Sequence, residues 1–362
     1  MLPILARARP DILALQPYSS ARMEARHASI MLNANEAPWA PVGNPDSALN
    51  RYPDPQPPAL RARLAEIYGV ASAQLLIGRG SDEAIDLLVR AFCREGCDAI
   101  AITPPTYGMY TVAAHTQGAT VIEIPLLEGF HPDADALLAR IDDCVKLIFI
   151  CTPNNPTGTL VPLATLERLA VAVRERALVV VDEAYFEFAR DAESATTLLA
   201  AHANIVVLRT LSKAFALAGA RVGSLIAHAQ IVALLRRVQA PYPLPIPCID
   251  AALAALTETA VTTMRARIDI VLDERERLAR TMMKSAQVLT VYPSVTNFLC
   301  ARFVDAEKIY GQLLARGIVV RDVSHYMKLA GCLRITIGTP AENDAVLAAL
   351  DDLSTVSPQP SL

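Results

Sequence analysis

The chain predicts an α/β protein: a mostly parallel sheet with helices on both faces. Two observations carry this. Short unbroken apolar runs recur, among them Leu147-Ile148-Phe149-Ile150, Leu178-Val179-Val180-Val181 and Ile205-Val206-Val207-Leu208. Runs of this length without polar alternation read as strands buried on both faces. Between them lie segments of helical period, such as 81–94, with Leu87, Leu88 and Phe92 on one side, and 163–174. Strand–helix–strand alternation of this kind closes as a parallel sheet.

The elements follow in order. The first part of the chain, to about residue 45, is irregular and proline-rich and ends in Pro38-Trp39-Ala40-Pro41. A helical pattern covers Pro58–Tyr68 and runs into Gly69, a C-terminal stop signal. After the 81–94 helix come strands near 99–103, 120–124 and 147–150, the 163–174 helix, and the strands at 178–181 and 205–208. Pro241, Pro243, Pro245 and Pro247 then interrupt the pattern. A long helical region follows at about 249–284, then strands near 298–301, 318–321 and 333–337. The division this suggests is a large domain over 45–240, with 1–44 and 241–362 joined in a smaller one.

Composition narrows the function classes. At 362 residues, 53% apolar and 19% charged, the chain has material for a large core and is not disordered. A net charge of −4 argues against a nucleic-acid or anionic-membrane surface. No apolar run approaches the length that spans a bilayer. The start, Met1-Leu2-Pro3-Ile4-Leu5, is broken by Pro3 and followed by Arg7 and Arg9, unlike a secretory signal. The seven cysteines are scattered. Cys93 and Cys97 lie one helical turn apart, but no second pair or histidine cluster completes a metal site. Reduced thiols, no metal and a cytoplasmic location are expected.

The chemistry centres on Lys213, in Thr210-Leu211-Ser212-Lys213-Ala214-Phe215, thirty-one residues after Asp182 and eight before Arg221. Asp182 and Lys213 each follow a buried strand, so both stand at the carboxyl ends of strands, where open α/β sheets build their sites. A lone lysine is ordinarily a solvated cation. Here it lies among small apolar residues, and burial lowers a lysine's pKa and frees the amine to attack an aldehyde. Lysine, carboxylate and guanidinium together are what pyridoxal phosphate requires: a Schiff base, an acid at the pyridine nitrogen and a cation at the phosphate. A carboxylate about 4 Å from the ring nitrogen contributes roughly 4 kcal/mol at an effective dielectric of 20, enough to keep that nitrogen protonated. Asp182 could otherwise be a helix N-cap. Tyr185, three residues on, is a donor for the cofactor's phenolic oxygen or else an ordinary buried tyrosine.

Asn154-Asn155-Pro156-Thr157-Gly158 follows the 147–150 run. Asn155 precedes a proline and must be extended or in a turn, which aims its amide out of the sheet edge toward the same phenolic oxygen. An ordinary turn is the alternative. Gly78-Arg79-Gly80-Ser81-Asp82-Glu83 opens a helix. Glu83 stands where a dinucleotide fingerprint needs its third glycine, so a nicotinamide site is rejected. The helix start remains an anion site, with Gly80, Ser81 and Asp82 joined by Thr210, Ser212 and Arg221. Tyr107 is a candidate for stacking on the pyridine face, with a core aromatic as the alternative. Arg334 lies inside Cys332-Leu333-Arg334-Ile335-Thr336-Ile337, where an arginine is costly unless an anion pairs it. Arg321 makes a weaker version of the same case, and either could be a structural salt bridge.

These motifs, in this order, resemble the fold-type I pyridoxal-phosphate aminotransferases over nearly the whole chain. Within that superfamily the chain is most similar to the histidinol-phosphate aminotransferase family. The segments that distinguish it are Leu15-Gln16-Pro17-Tyr18, Leu32-Asn33-Ala34-Asn35-Glu36, Arg51-Tyr52-Pro53-Asp54, Ala240-Pro241-Tyr242-Pro243-Leu244 and Arg334-Ile335-Thr336-Ile337-Gly338-Thr339. The resemblance implies a seven-stranded sheet with a smaller α/β C-terminal domain. It gives Lys213 the Schiff base to pyridoxal 5'-phosphate, Asp182 the ring nitrogen, and Asn155 with Tyr185 the phenolic oxygen. Tyr107 stacks on the ring, Ser81, Asp82, Ser212 and Arg221 bind the phosphate, and Tyr52 reaches in from the other subunit of a homodimer. Tyr18, Asn35, Tyr242, Arg321 and Arg334 fall on the substrate side. The implied reaction exchanges an amino group between L-histidinol phosphate and 2-oxoglutarate, forming glutamate, in histidine biosynthesis. Leu244-Pro245-Ile246-Pro247 and Ser324-His325-Tyr326-Met327-Lys328 depart from the family's usual pattern and bear on substrate preference. The alternatives of the same fold are an aromatic amino acid aminotransferase and a threonine-phosphate decarboxylase.

Overall fold

The unbroken apolar runs form the middle of one sheet. The computed structural model describes residues 2–16, 30–45 and 47–355. Seven strands make up the large sheet: β1 (Leu75–Gly78), β2 (Ala99–Ile102), β3 (Thr120–Glu123), β4 (Val145–Cys151), β5 (Leu178–Asp182), β6 (Ile205–Thr210) and β7 (Gly223–Ala227). Their spatial order is β1-β7-β6-β5-β4-β2-β3. β3, β2, β4, β5 and β6 are mutually parallel, whereas β7 is antiparallel to both β6 and β1. Every residue of β4, β5 and β6 is buried, as strands covered on both faces require.

Successive side chains of these strands point to opposite faces and enter two cores. Ile148, Ile150, Val179, Val181 and Val207 pack under helices Pro58–Tyr68 and Leu163–Ala172. Leu147, Phe149, Leu178, Val180 and Leu208 pack under Gly80–Phe92, Met109–Gln117 and Ala229–Leu235. Ile4, Leu5, Ala8 and Ile12 join this second core. The start of the chain therefore sits on the large sheet, not with the C-terminal part as expected, because its apolar side chains find their cover there.

A second sheet contains β8 (Val288–Val291), β9 (Phe298–Phe303), β10 (Arg321–Asp322) and β11 (Cys332–Thr336), in the order β10-β11-β9-β8 and antiparallel throughout. Leu278 and Met282 from the 25-residue helix Glu258–Met282, with Ile309, Leu313, Val346 and Leu350, complete its core. Two expectations need adjusting. The single helical region at 249–284 is two helices, Ile246–Ala255 and Glu258–Met282, the second begun by Thr257, whose side chain accepts from the Ala260 N–H. The strand expected at 318–321 becomes Arg321–Asp322: on the side away from β9, β11 pairs only with those two residues, and Val319 points to solvent.

β4, β5 and β6 all end at one edge of the sheet, in Cys151, Asp182 and Thr210. The candidate site is built on that edge.

Candidate active site

At one end, a helix start is pressed against a strand. A Cβ on Gly223, the first residue of β7, would lie 2.4 Å from the carbonyl carbon of Gly80, so only glycine permits the approach. Gly80 itself has a φ of 81°, and a Cβ there would meet Arg221 Nη2 at 2.8 Å. No side chain caps the Gly80–Phe92 helix, so its first N–H groups are left for an outside acceptor. Around them stand Ser81, Asp82, Thr210, Ser212 and Arg221. Arg221 Nη1 donates to Ser212 Oγ at 3.3 Å, Arg221 Nη2 pairs with Asp82 at 3.0 Å, and Thr210 Oγ1 donates to Ser212 Oγ at 2.9 Å. Guanidinium, hydroxyls and helix start converge as an oxyanion or phosphate would need.

Beyond this lies the buried carboxylate. Asp182 is 2% exposed; Oδ2 accepts from Tyr110 Oη at 2.7 Å and Oδ1 from the Ala184 N–H at 3.1 Å. Burial pushes its carboxyl up to about 6, with Asp82 and Glu183 acting in the same direction and the two hydrogen bonds opposing. Tyr107 donates to Asp82 Oδ1 at 2.9 Å and stands above the same space. Lys213 lies over the Tyr185 ring, Nζ 5.4 Å from its centroid. Lys213 is exposed to the cleft rather than buried as expected, but partial desolvation by the cleft walls, then the positive charge of Arg334, depresses its ammonium below the ordinary lysine range. Burial raises the Tyr185 phenol, which therefore stays protonated and can donate.

The third part comes from the small sheet. Arg321 and Arg334 are directly paired across β10 and β11. Arg334 Nη1 donates to Asn155 Oδ1, and its guanidinium carbon lies 5.3 Å from the Phe298 ring centroid. Among the described residues no carboxylate lies within ion-pair distance of either arginine. Asp322 instead caps Ser324. Together these groups line a single cleft of about 580 Å³, walled on its apolar side by Met109, Val112, Val323 and Tyr326. It offers an anion cradle, a buried acid, an amine that faces the cleft and two further cations.

Residues 29–350 match the family described as "Aminotransferase class I and II". The chain belongs to that family. It is 52% identical over 351 residues, 96% of each chain, to the histidinol-phosphate aminotransferase of Stenotrophomonas maltophilia. It is 50% identical over 351 residues to that of Xanthomonas campestris pv. campestris, covering 96% of this chain and 97% of the relative. Among solved structures it is similar to the Sinorhizobium meliloti histidinol-phosphate aminotransferase in complex with pyridoxal-5'-phosphate. That match has a TM-score of 0.78 and 25% identity, over 96% of this chain and 97% of the other.

In this aminotransferase most residues expected at the site do line the cleft: Ser81, Asp82, Tyr107, Asn155, Asp182, Tyr185, Thr210, Ser212, Lys213, Arg221, Arg321 and Arg334. Gly80 sits just behind, shaping the helix start. Among the described residues three do not line it: Tyr52, Tyr242 and Asn35. Tyr52 stacks on Tyr242 with centroids 4.4 Å apart and planes at 14°, away from the cleft, and Asn35 is exposed. Tyr18 lies outside the described residues. Beside Asp182 lie two residues that were not anticipated, Tyr110 and Cys151; nor were the apolar walls Met109, Val112 and Val323. Tyr110 stands in the first turn of the Met109–Gln117 helix and Tyr107 just before it, and no local pattern marks the Tyr110 hydroxyl as a partner of Asp182.

Proposed function

We propose that this protein is a pyridoxal 5'-phosphate-dependent aminotransferase that exchanges the amino group between L-histidinol phosphate and 2-oxoglutarate, a step of L-histidine biosynthesis in the cytoplasm. The observation that carries it is the convergence of Lys213, Asp182, Arg221 and Arg334 on one cleft. The cleft fits the cofactor by the chemistry of its donors. An uncapped helix start with Arg221 and Ser212 suits a phosphate ester, Asp182 suits a protonated ring nitrogen, and the depressed Lys213 suits an aldehyde.

Bound there, pyridoxal phosphate supplies the aldehyde that receives the amino group and a ring that withdraws electrons. The chain's own residues do the rest. Lys213 Nζ would carry the proton between the substrate's Cα and the cofactor's C4′, with no other base needed. Asn155 and Tyr185 orient the ring through its phenolic oxygen, and Tyr107 covers one face. Arg334, with Arg321, takes the phosphate of histidinol phosphate in one half-reaction and a carboxylate of 2-oxoglutarate in the other, because a guanidinium pairs bidentately with either. The cofactor is held by the larger domain and the substrate anion by the smaller one.

The active unit is a two-fold homodimer with Tyr52 completing the partner's site. Leu32, Trp39 and Val42 are 87%, 81% and 101% exposed, and Tyr52 47%, in one irregular stretch before the large sheet. So much apolar surface in one segment suits a partner copy. Expression in a bacterium deleted for its own histidinol-phosphate aminotransferase should restore growth without histidine. Continued dependence on histidine at normal protein levels would overturn the substrate assignment.

A further inference from the structure

Tyr110 is fully buried, with its ring stacked on Phe149 at 4.7 Å and 14° and edge-on to Tyr107 at 5.7 Å and 87°. Its hydroxyl is aimed at Asp182 Oδ2, 2.7 Å away. Two packed rings leave the phenol one orientation, and that orientation points at the Asp182 carboxylate, which lines the cleft. We propose that Tyr110 is a positioning residue, whose hydroxyl holds the Asp182 carboxylate oriented and charged to meet the protonated ring nitrogen of the cofactor, while its ring steadies Tyr107 over the ring face.

The physical case starts from the cost of the charge. A carboxylate this deeply buried is expensive unless hydrogen bonds or a cation compensate it. Among the described residues no cation lies within ion-pair distance of Asp182, and its donors are the Ala184 N–H and the Tyr110 hydroxyl. The surrounding charges do not help: Asp82 and Glu183 disfavour ionisation. A hydroxyl donating to an ionised acceptor favours the charged form. Tyr110 thus stabilises the ionised acid before the ring arrives. Its contacts with Phe149 and Tyr107 tie the ring-nitrogen contact and the ring-face contact into one rigid unit. The Ala184 N–H alone would leave Oδ2 without a donor and free to rotate.

The inference rests on the cofactor reading above, and the test separates the two. Tyr110→Phe keeps both ring contacts and removes only the hydroxyl. Full-length apoenzyme would be titrated with pyridoxal 5'-phosphate and with its 1-deaza analogue, in which carbon replaces the ring nitrogen. The expected result is a Kd for pyridoxal phosphate raised about tenfold in Tyr110→Phe, a Kd for the deaza analogue equal in variant and wild type, and no added effect of Tyr110→Phe in an Asp182→Asn background. Equal weakening toward both ligands would mean a merely structural role and overturn the inference, as would unchanged affinity for both. The deaza titration also reports folding, since a misfolded variant would lose both ligands. Failure of the wild-type chain to bind pyridoxal phosphate would overturn the cofactor reading itself.

Discussion

The Arg334 guanidinium donates to the side-chain oxygen of Asn155, so a residue of the small sheet and one at the rim of the large sheet share a hydrogen bond inside the cleft. The bond fixes the arginine beside the position assigned to the cofactor and leaves its other N–H groups for an anion. Arg334→Ala should raise KM for histidinol phosphate and for glutamate together, each by about tenfold or more, corresponding to about 1.4 kcal/mol of lost binding. Steady-state kinetics with each substrate varied would check this. A change confined to one of the two would mean that the anions do not share Arg334.

Lys213→Ala should lower kcat by at least roughly 10³-fold, because the variant loses both its covalent attachment and its proton carrier. Cofactor binding should persist through the phosphate cradle, read as retained pyridoxal phosphate absorbance after gel filtration. Near-normal turnover in this variant would remove Lys213 from the chemistry.

The apoenzyme carries a stability signature of Asp182. Its carboxyl titrates at about 6 in the folded protein, against an ordinary value of 3.8. Between those values the folded state holds a proton that the unfolded state has released. Stability contributed by the protonated acid is present below about 4 and is lost as pH rises through about 6, by about 3 kcal/mol in all. Asp182→Asn removes this loss. Cofactor-free Asp182→Asn should unfold at a temperature about 5 °C higher than wild type at pH 8, and the difference should vanish near pH 4. Identical pH dependence of unfolding in the two proteins would contradict the buried, ionised acid.

If Tyr52 completes the partner's site, inactive chains can complement each other. Tyr52→Ala and Lys213→Ala subunits, unfolded together and refolded in equal amounts, should give about a quarter of wild-type sites, because half the dimers are hybrids with one intact site each. Activity no higher than that of the separately refolded variants would place Tyr52 outside the partner's site.

The sequence was most legible where a residue follows a continuous apolar run. Asp182, Thr210 and Asn155 stand at or just beyond the ends of β5, β6 and β4, and buried parallel strands announce both themselves and their carboxyl ends. β1 and β7 were less visible: four and five residues long, they are bounded or opened by glycine, and their pairing is with each other and with β6. At 318–321 the β-branched residues read as a strand, but no partner backbone was available before Arg321. Tyr110 was missed because a buried aromatic on a helix looks the same in sequence whether or not its hydroxyl has a functional acceptor. The stacking of Tyr52 on Tyr242 joins residues far apart in the chain, which no local pattern encodes.

The most direct measurement is turnover of 2-oxoglutarate to glutamate by the purified, pyridoxal phosphate-loaded protein with L-histidinol phosphate, L-phenylalanine or O-phospho-L-threonine as the donor. Glutamate and carbon dioxide would be quantified in the same reactions. The prediction is glutamate formation with kcat/KM highest for histidinol phosphate, at least about tenfold above phenylalanine, and no carbon dioxide from phosphothreonine. A higher kcat/KM for phenylalanine, or decarboxylation of phosphothreonine without amino transfer, would contradict it.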